Sequence, residues 1–282
     1  MISKFITAYA QQHYYWAERG IIQASEDGAN YWYIDGSLPG EYPEKWSIQR
    51  IASLNKMIRQ YNVKPIFHGN FKLPLAADVL QVRERAVRSV FDEVDLCSEL
   101  SAPLILHGGV IVEPRLVIKA KKDALDNYLR SIEFIVEYAR EKNVTVLLEN
   151  LSNYKNYRPF HYIFTTPEEY KYVLDRIGDE HVHLFFDVGH GAICDGDPAL
   201  VIQEFHKRIW GMSFSNNDGI RDLHLGINRG VVDYQKIIDT IVNVAWKGVI
   251  AFEVRGRSFS QSVDDVSQLF ERSTVGKGVA LT

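Results

Sequence analysis

Short apolar runs alternate with stretches of helical periodicity along the whole 282-residue chain. Eight of the runs read as strands: Phe5–Ala10, Tyr31–Asp35, Lys64–His68, Ala102–Gly109, Val144–Asn150, Val182–His190, Arg208–Phe214 and Gly248–Val254. Most are apolar without alternation, the pattern of a parallel strand covered on both faces. Between them, apolar residues recur at steps of three and four, the spacing of an amphipathic helix. Val87, Val90, Val94 and Cys97 form one such stripe, and Leu125, Leu129, Ile132, Val136 and Ala139 form the next. Further helices are expected through Trp16 and Ile22, over Ile48–Tyr61, near Pro198–His206, over Val231–Val244 and over Val263–Phe270. Thr165-Thr166-Pro167-Glu168-Glu169 predicts a helix start, with a capping hydroxyl, proline in the first turn and early acidic residues.

Strands alternating with helices imply a parallel sheet covered by helices. Eight units of this length match a closed (β/α)8 TIM barrel, expected here as a single domain over residues 1–275. Residues 276–282 read as a flexible C-terminal tail. A doubly wound open sheet is the alternative, but the first strand-to-helix turn, Gln11 to Tyr15, lacks the glycine-rich phosphate loop of that fold.

Composition changes this picture little. Hydrophobic residues make up 46% and charged residues 24%, as in an ordinary soluble domain. No run approaches the roughly 18 to 20 apolar residues of a membrane span. The start shows no export signal, so a cytoplasmic protein without a membrane partner is expected. Cys97 and Cys194 are too few for a disulfide framework. Cys97 reads as core, and Cys194 as a bystander just past His190. A net charge of −4 provides no global attraction for nucleic acid.

Chemistry gathers at the strand ends. His68 ends the third strand, His107 the fourth, Glu149 the fifth and Asp187 the sixth, with His190 three residues on. Glu253 sits near the end of the eighth, and Asp222-Leu223-His224 follows the seventh. In a (β/α)8 barrel these ends converge on one face. A lone histidine there is usually structural, and His181, His183 and His206 are assigned to that class. His13 and His161 lie in loops with either role open. Three carboxylates buried together are a different matter, because each costs several kcal/mol without compensation. Imidazole with carboxylate suits Zn, Mn or Fe, and carboxylate alone Mg or Ca, so a divalent metal ion is expected. Glu149 and Glu253 are the expected catalytic pair. Glu149, Asp187, Glu253, His190, Asp222 and His224 are the expected metal ligands. His68, His107, His190, Arg255, Phe71 and Ser213 are expected to contact substrate.

These motifs resemble the xylose isomerase-like TIM-barrel superfamily, which also contains the endonuclease IV type of apurinic-site endonuclease (AP endonuclease family 2). The resemblance runs from about Phe5 to Phe270 and rests on six elements. They are His68, His107-Gly108-Gly109, Leu148-Glu149-Asn150, Asp187-Val188-Gly189-His190, Asp222-Leu223-His224 with Gly230-Val231-Val232-Asp233, and Phe252-Glu253. For sugar isomerases and epimerases it implies one Mn-like ion on Glu149, Asp187, Glu253 and a strand-seven histidine. For endonuclease IV it implies three zinc ions on nine residues, eight of which match His68, His107, Glu149, Asp187, His190, Asp222, His224 and Glu253. Ser213 stands at the ninth position, and Asn228 where the family has glycine.

The leading expectation is a divalent-metal-dependent isomerase or epimerase, or a related lyase, acting on a small sugar or polyol. It would abstract a proton next to a carbonyl, with the enediolate held by the metal. An abasic-site phosphodiesterase is the second reading, with Phe71, Leu73, Tyr42 or Trp46 as groove wedges. A repurposed ligand-binding barrel, motivated by Ser213, is the third. Homo-oligomerisation is left open.

Overall fold

Eight parallel strands close on one another in sequence order, and the last pairs with the first. They are β1 (Ile6–Tyr9), β2 (Tyr31–Asp35), β3 (Lys64–His68), β4 (Leu104–His107), β5 (Val146–Glu149), β6 (Val182–Asp187), β7 (Ile209–Phe214) and β8 (Val249–Phe252). The computed structural model describes residues 5–10, 15–111, 117–154, 156, 158–193, 196–256 and 258–275. The expected tail, His13 and Cys194 lie outside them. The chain is a single TIM barrel, as its alternating pattern predicts.

Helices α1 (Ala17–Glu26), α2 (Ile48–Tyr61), α3 (Leu80–Leu100), α4 (Val117–Glu141) and α5 (Pro167–Ile177) follow the first five barrel strands. A short α6 (Val188–Ile193) continues directly from β6 and precedes α7 (Pro198–Phe205), with α8 (Tyr234–Asn243) and α9 (Phe259–Val275) after β7 and β8. The expected start of α5 is realised: Thr166 accepts from the Glu169 amide, Pro167 opens the helix and Gly178 ends it in the left-handed conformation. Glu169 in turn accepts from the Thr165 N–H at 2.6 Å, so two otherwise unpaired helix-end amides are satisfied. Several boundaries differ from the pattern, α9 for one beginning at Phe259 rather than Val263. Val231–Asp233 stays in the loop because Asp233 caps α8 with its side chain, and His190 belongs to α6 rather than to an extended strand.

Apolar residues divide into two cores. Side chains of α3 such as Val90, Val94 and Cys97 join the large core between the helices and the outer face of the barrel. Ala8, Ala10, Tyr33, Ile66, Ile105, Leu147, Phe185, Val249 and Ala251 fill the barrel itself. Gly211 leaves room for a large neighbour in this layer: a Cβ there would lie 2.5 Å from the Phe185 ring. The filled layer is the floor beneath the strand ends.

One element has no sequence signal. Val110–Ile111 pairs antiparallel with His161–Tyr162 as a two-stranded ribbon beside the barrel mouth.

Candidate active site

Strand register brings the ligand-type residues into one cluster. His68, His107, Glu149 and Asp187 are each the last residue of a barrel strand. His107 is the register partner of Glu149, and Asp187 that of Ser213. Glu149 and Asp187 are almost wholly buried, at 1% and 0% exposure. Glu253 stands just past β8, and Asp222 and His224 come in on the loop between β7 and α8.

Three imidazoles surround Glu149. His107 Nε2 lies 3.6 Å from its Oε2, His68 Nε2 lies 3.8 Å from the same oxygen, and His190 Nδ1 lies 3.8 Å from Oε1. A second focus is Asp222, whose Oδ2 is 3.1 Å from His224 Nε2 and 3.4 Å from His190 Nε2. Glu149 thereby belongs to two compact ligand groups, one with His68 and His107 and the other with Asp187 and His190.

Backbone contacts fix the orientation of these rings. His190 Nδ1 donates to the Asn150 carbonyl at 2.9 Å, and His224 Nδ1 donates to the Glu253 carbonyl at 2.9 Å. A carbonyl only accepts, so each Nδ1 carries the proton and each Nε2 is turned to Asp222. His224 adopts a left-handed backbone with φ 49°, a conformation seldom taken by non-glycine residues outside turns and functional sites. Asn150 ties β5 to β6, donating to the Asp187 carbonyl at 3.0 Å and accepting the Asp187 N–H at 2.7 Å. The loop is held from below by Asn217, which donates to the Gly189 carbonyl at 2.6 Å.

Burial sets the electrostatics. Desolvation raises Glu149 to about 7, with His68 opposing it and Asp187 adding to it. Desolvation also raises Glu253 to about 7, reinforced by the charges of Glu149 and Asp187. His107 falls to about 3 through desolvation and the neighbouring His190. Desolvation works against a charged His190, but Asp187, Asp222 and Glu149 together hold its pKa well above the usual value. Desolvation likewise opposes the charge on Asp222, and bonds from His190 and His224 overcome it and lower its pKa.

The donor set fits a divalent cation. Glu149 Oε2, Asp187 Oδ2, Asp222 Oδ1 and Glu253 Oε1 are buried oxygens with no hydrogen-bond partner among the described residues. Unpaired buried carboxylate oxygens are costly, and a cation bound between them removes that cost. Mixed imidazole and carboxylate ligation suits Zn, Mn or Fe.

The remaining expected residues are distributed unevenly. Ser213 lies inside the barrel, fully buried, with its Oγ unpaired among the described residues. Phe71 is half exposed, with its ring 6.3 Å edge-on from His107. Arg255 is exposed on the turn after β8, and its backbone N–H donates to the His224 carbonyl at 2.7 Å. Trp46 is corrected as a groove wedge. It is 8% exposed, its indole donates to the Glu41 carbonyl, and the Arg50 guanidinium covers its ring at 3.8 Å. His161 lies in the short ribbon, His181 pairs with Asp179, and His206 bonds the Gln203 carbonyl.

Two groups escaped the sequence reading. Asn150 sat unassigned beside Glu149. Tyr154 and Tyr162, with Phe160, form an aromatic wall in which ring centroids lie 5.2–6.4 Å apart. Burial raises the pKa of both tyrosines, with the Asp222 charge contributing to each.

Fold and cluster together define a TIM barrel with a candidate cation-binding centre at the carboxyl ends of its strands. Residues 21–273 match the family described as xylose isomerase-like TIM barrel, and the chain belongs to that family. An uncharacterized protein of Methanocaldococcus jannaschii is 26% identical over 212 residues, which cover 73% of this chain and 70% of that protein. A probable endonuclease 4 of a Sulfurihydrogenibium species is 26% identical over 133 residues, covering 46% of this chain and 44% of that protein. Among solved structures, a D-tagatose 3-epimerase-like protein superposes with TM-score 0.81 at 22% identity, covering 98% of this chain and 100% of that one. An L-ribulose 3-epimerase superposes with TM-score 0.76 at 13% identity, covering 97% of each chain. At these identities the structural likeness concerns the fold.

Proposed function

We propose that this chain is a divalent-cation-dependent isomerase or epimerase that removes and returns a proton next to a carbonyl of a small sugar or polyol. The observation that carries the reading is the pair Glu149 and Glu253, two carboxylates at the ends of separate strands, each with a buried oxygen that has no hydrogen-bond partner among the described residues. A carboxylate set beside a bound substrate carbon can accept a proton and give it back. Family membership and the likeness to sugar 3-epimerase folds support the choice of substrate class.

Glu149, Asp187 and Glu253 would hold the cation, with His190, Asp222 and His224 as the adjoining ligands. When bound, the cation polarises substrate oxygens and lowers the pKa of coordinated water. The chain's own part is orientation and proton transfer. His68 and His107 present ring nitrogens to substrate hydroxyls, Phe71 and the Tyr154–Tyr162 wall exclude water from the apolar side of the ring, and Glu149 and Glu253 carry the proton. Ser213 and Arg255 complete the substrate contacts from inside and outside the barrel.

The test is solvent exchange. In deuterium oxide, the Mn-loaded protein with a panel of ketoses should place deuterium on the carbon next to the carbonyl. Glu149→Gln and Glu253→Gln should each abolish it. Full exchange activity in both variants sinks the two-carboxylate reading.

One observation favours a second reading, a metal-dependent phosphodiesterase at abasic DNA. Glu149 is shared by two ligand groups and Asp222 lies between two imidazoles, an arrangement suited to more than one cation. Salt-dependent binding and cleavage of duplex DNA carrying an abasic site would establish it. An intact duplex after incubation with the zinc-loaded protein removes it.

A further inference from the structure

Tyr33 is a large side chain with a polar tip in the inner barrel layer. It projects from β2 among Ala8, Ile66, Phe185 and Ala251 and is 3% exposed. Its ring stacks on His68 with centroids 5.7 Å apart, and Phe185 meets it edge-on at 6.2 Å. These two rings fix it between the barrel floor and the cluster above.

The hydroxyl has no hydrogen-bond partner among the described residues. Apolar packing alone would be served by phenylalanine, and an unpaired buried hydroxyl costs about 1–3 kcal/mol. Burial raises the phenol pKa well above its ordinary value, and the charges of Glu253, Glu149 and Asp187 raise it further. The hydroxyl therefore stays protonated and lies in the field of the three carboxylates assigned to the cation. Ser213, a fully buried hydroxyl inside the barrel, is also unpaired among the described residues.

We propose that Tyr33 is a positioning residue of the cation site, its O–H donating to an oxygen ligand (water or a substrate hydroxyl) held between Glu149, Asp187 and Glu253. A donor at this place fixes the orientation of that oxygen, as a buried partner does for a protein ligand. It also gives the hydroxyl the partner that the described residues do not provide. The inference rests on the cation reading above.

The test compares wild type and Tyr33→Phe by Mn(II) titration followed by electron paramagnetic resonance, alongside thermal melts of the metal-free proteins. Mn(II) affinity should fall about tenfold in Tyr33→Phe, while the metal-free variant melts at or above the wild-type temperature. Phe185→Leu, which alters the same ring packing without touching the hydroxyl, should keep near wild-type affinity. Equal affinity in wild type and Tyr33→Phe overturns the inference while leaving the cation reading intact. An equal loss in Phe185→Leu overturns it too, since packing would then suffice. No Mn(II) binding by wild type overturns the cation reading and this inference with it.

Discussion

His107 and Glu149 are register partners on neighbouring strands, and their side chains meet above the barrel with Nε2 3.6 Å from Oε2. The pairing follows from where two apolar runs stop. Both strands end at the same level, so a residue that would be exposed on a lone strand becomes buried between its neighbours. Asp187 and Ser213 are likewise register partners.

Glu149→Gln should uncouple binding from folding. The amide keeps the shape but removes the charge and one acceptor, so cation affinity should fall by at least a hundredfold. The metal-free variant should be no less stable than wild type, because burial already disfavours the charged form. Calorimetric titration with Mn(II) or Zn(II), paired with melts in chelator, reads both effects.

Metal-free stability should fall with pH where the raised groups titrate. Glu149 and Glu253 are raised to about 7, so between the unfolded value near 4.5 and about 7 the folded state holds more protons. Stability then falls as pH rises through that window. The raised pKa values of His190 and His224 act in the same sense at higher pH, their stabilisation being lost as pH passes the folded value. His107, lowered to about 3, opposes this trend below its unfolded value near 6.5, so the melting temperature in chelator should drop most clearly from pH 6.5 to pH 8, and saturating Mn(II) should flatten the slope. A rising metal-free profile contradicts the assignment.

Glu93 supplies a second pH-dependent group, away from the cluster. It is 2% exposed on α3, and its Oε1 accepts the Asn70 N–H at 3.0 Å beneath the turn that leaves His68. Desolvation raises it to about 8, so its charged form destabilises the fold as pH rises above about 4.5. Glu93→Gln keeps the acceptor and should remove part of that slope, making the variant more stable than wild type at pH 8 by roughly 1–3 kcal/mol. Urea melts at pH 6 and pH 8 give the comparison.

Asn150→Ala should damage the site through its neighbours. It breaks both bonds to the Asp187 backbone, at a cost of about 2–4 kcal/mol for groups left buried and unpaired. Asp187 and His190 then lose their fixed orientation, and cation affinity should weaken about 10- to 100-fold. Affinity equal to wild type in a folded Asn150→Ala protein would show that the tie between β5 and β6 plays no part in binding.

The barrel and most of the cluster were legible because each strand's apolar run ends in a ligand-type residue. Once eight such runs are counted, the fold itself brings the ends together. What the pattern cannot supply is side-chain direction in runs that are apolar on both faces. Tyr33 is one aromatic among three consecutive ones, and only its register with Ile66 assigns it to the interior. Trp46 misled for a related reason: it follows a loop rich in glycine and proline, and its burial depends on Arg50 bridging Glu18 and Glu41 across the chain. The two-residue ribbon strands at Val110 and His161 are too short to show any period.

The most direct measurement is the metal content of the chain after equilibrium dialysis against Mn(II) or Zn(II), read by elemental mass spectrometry for wild type and Glu149→Gln. A buried carboxylate cluster that functions as a cation site predicts at least one ion retained per wild-type chain and none, or far less, in the variant. A folded wild-type protein that emerges without either ion contradicts it.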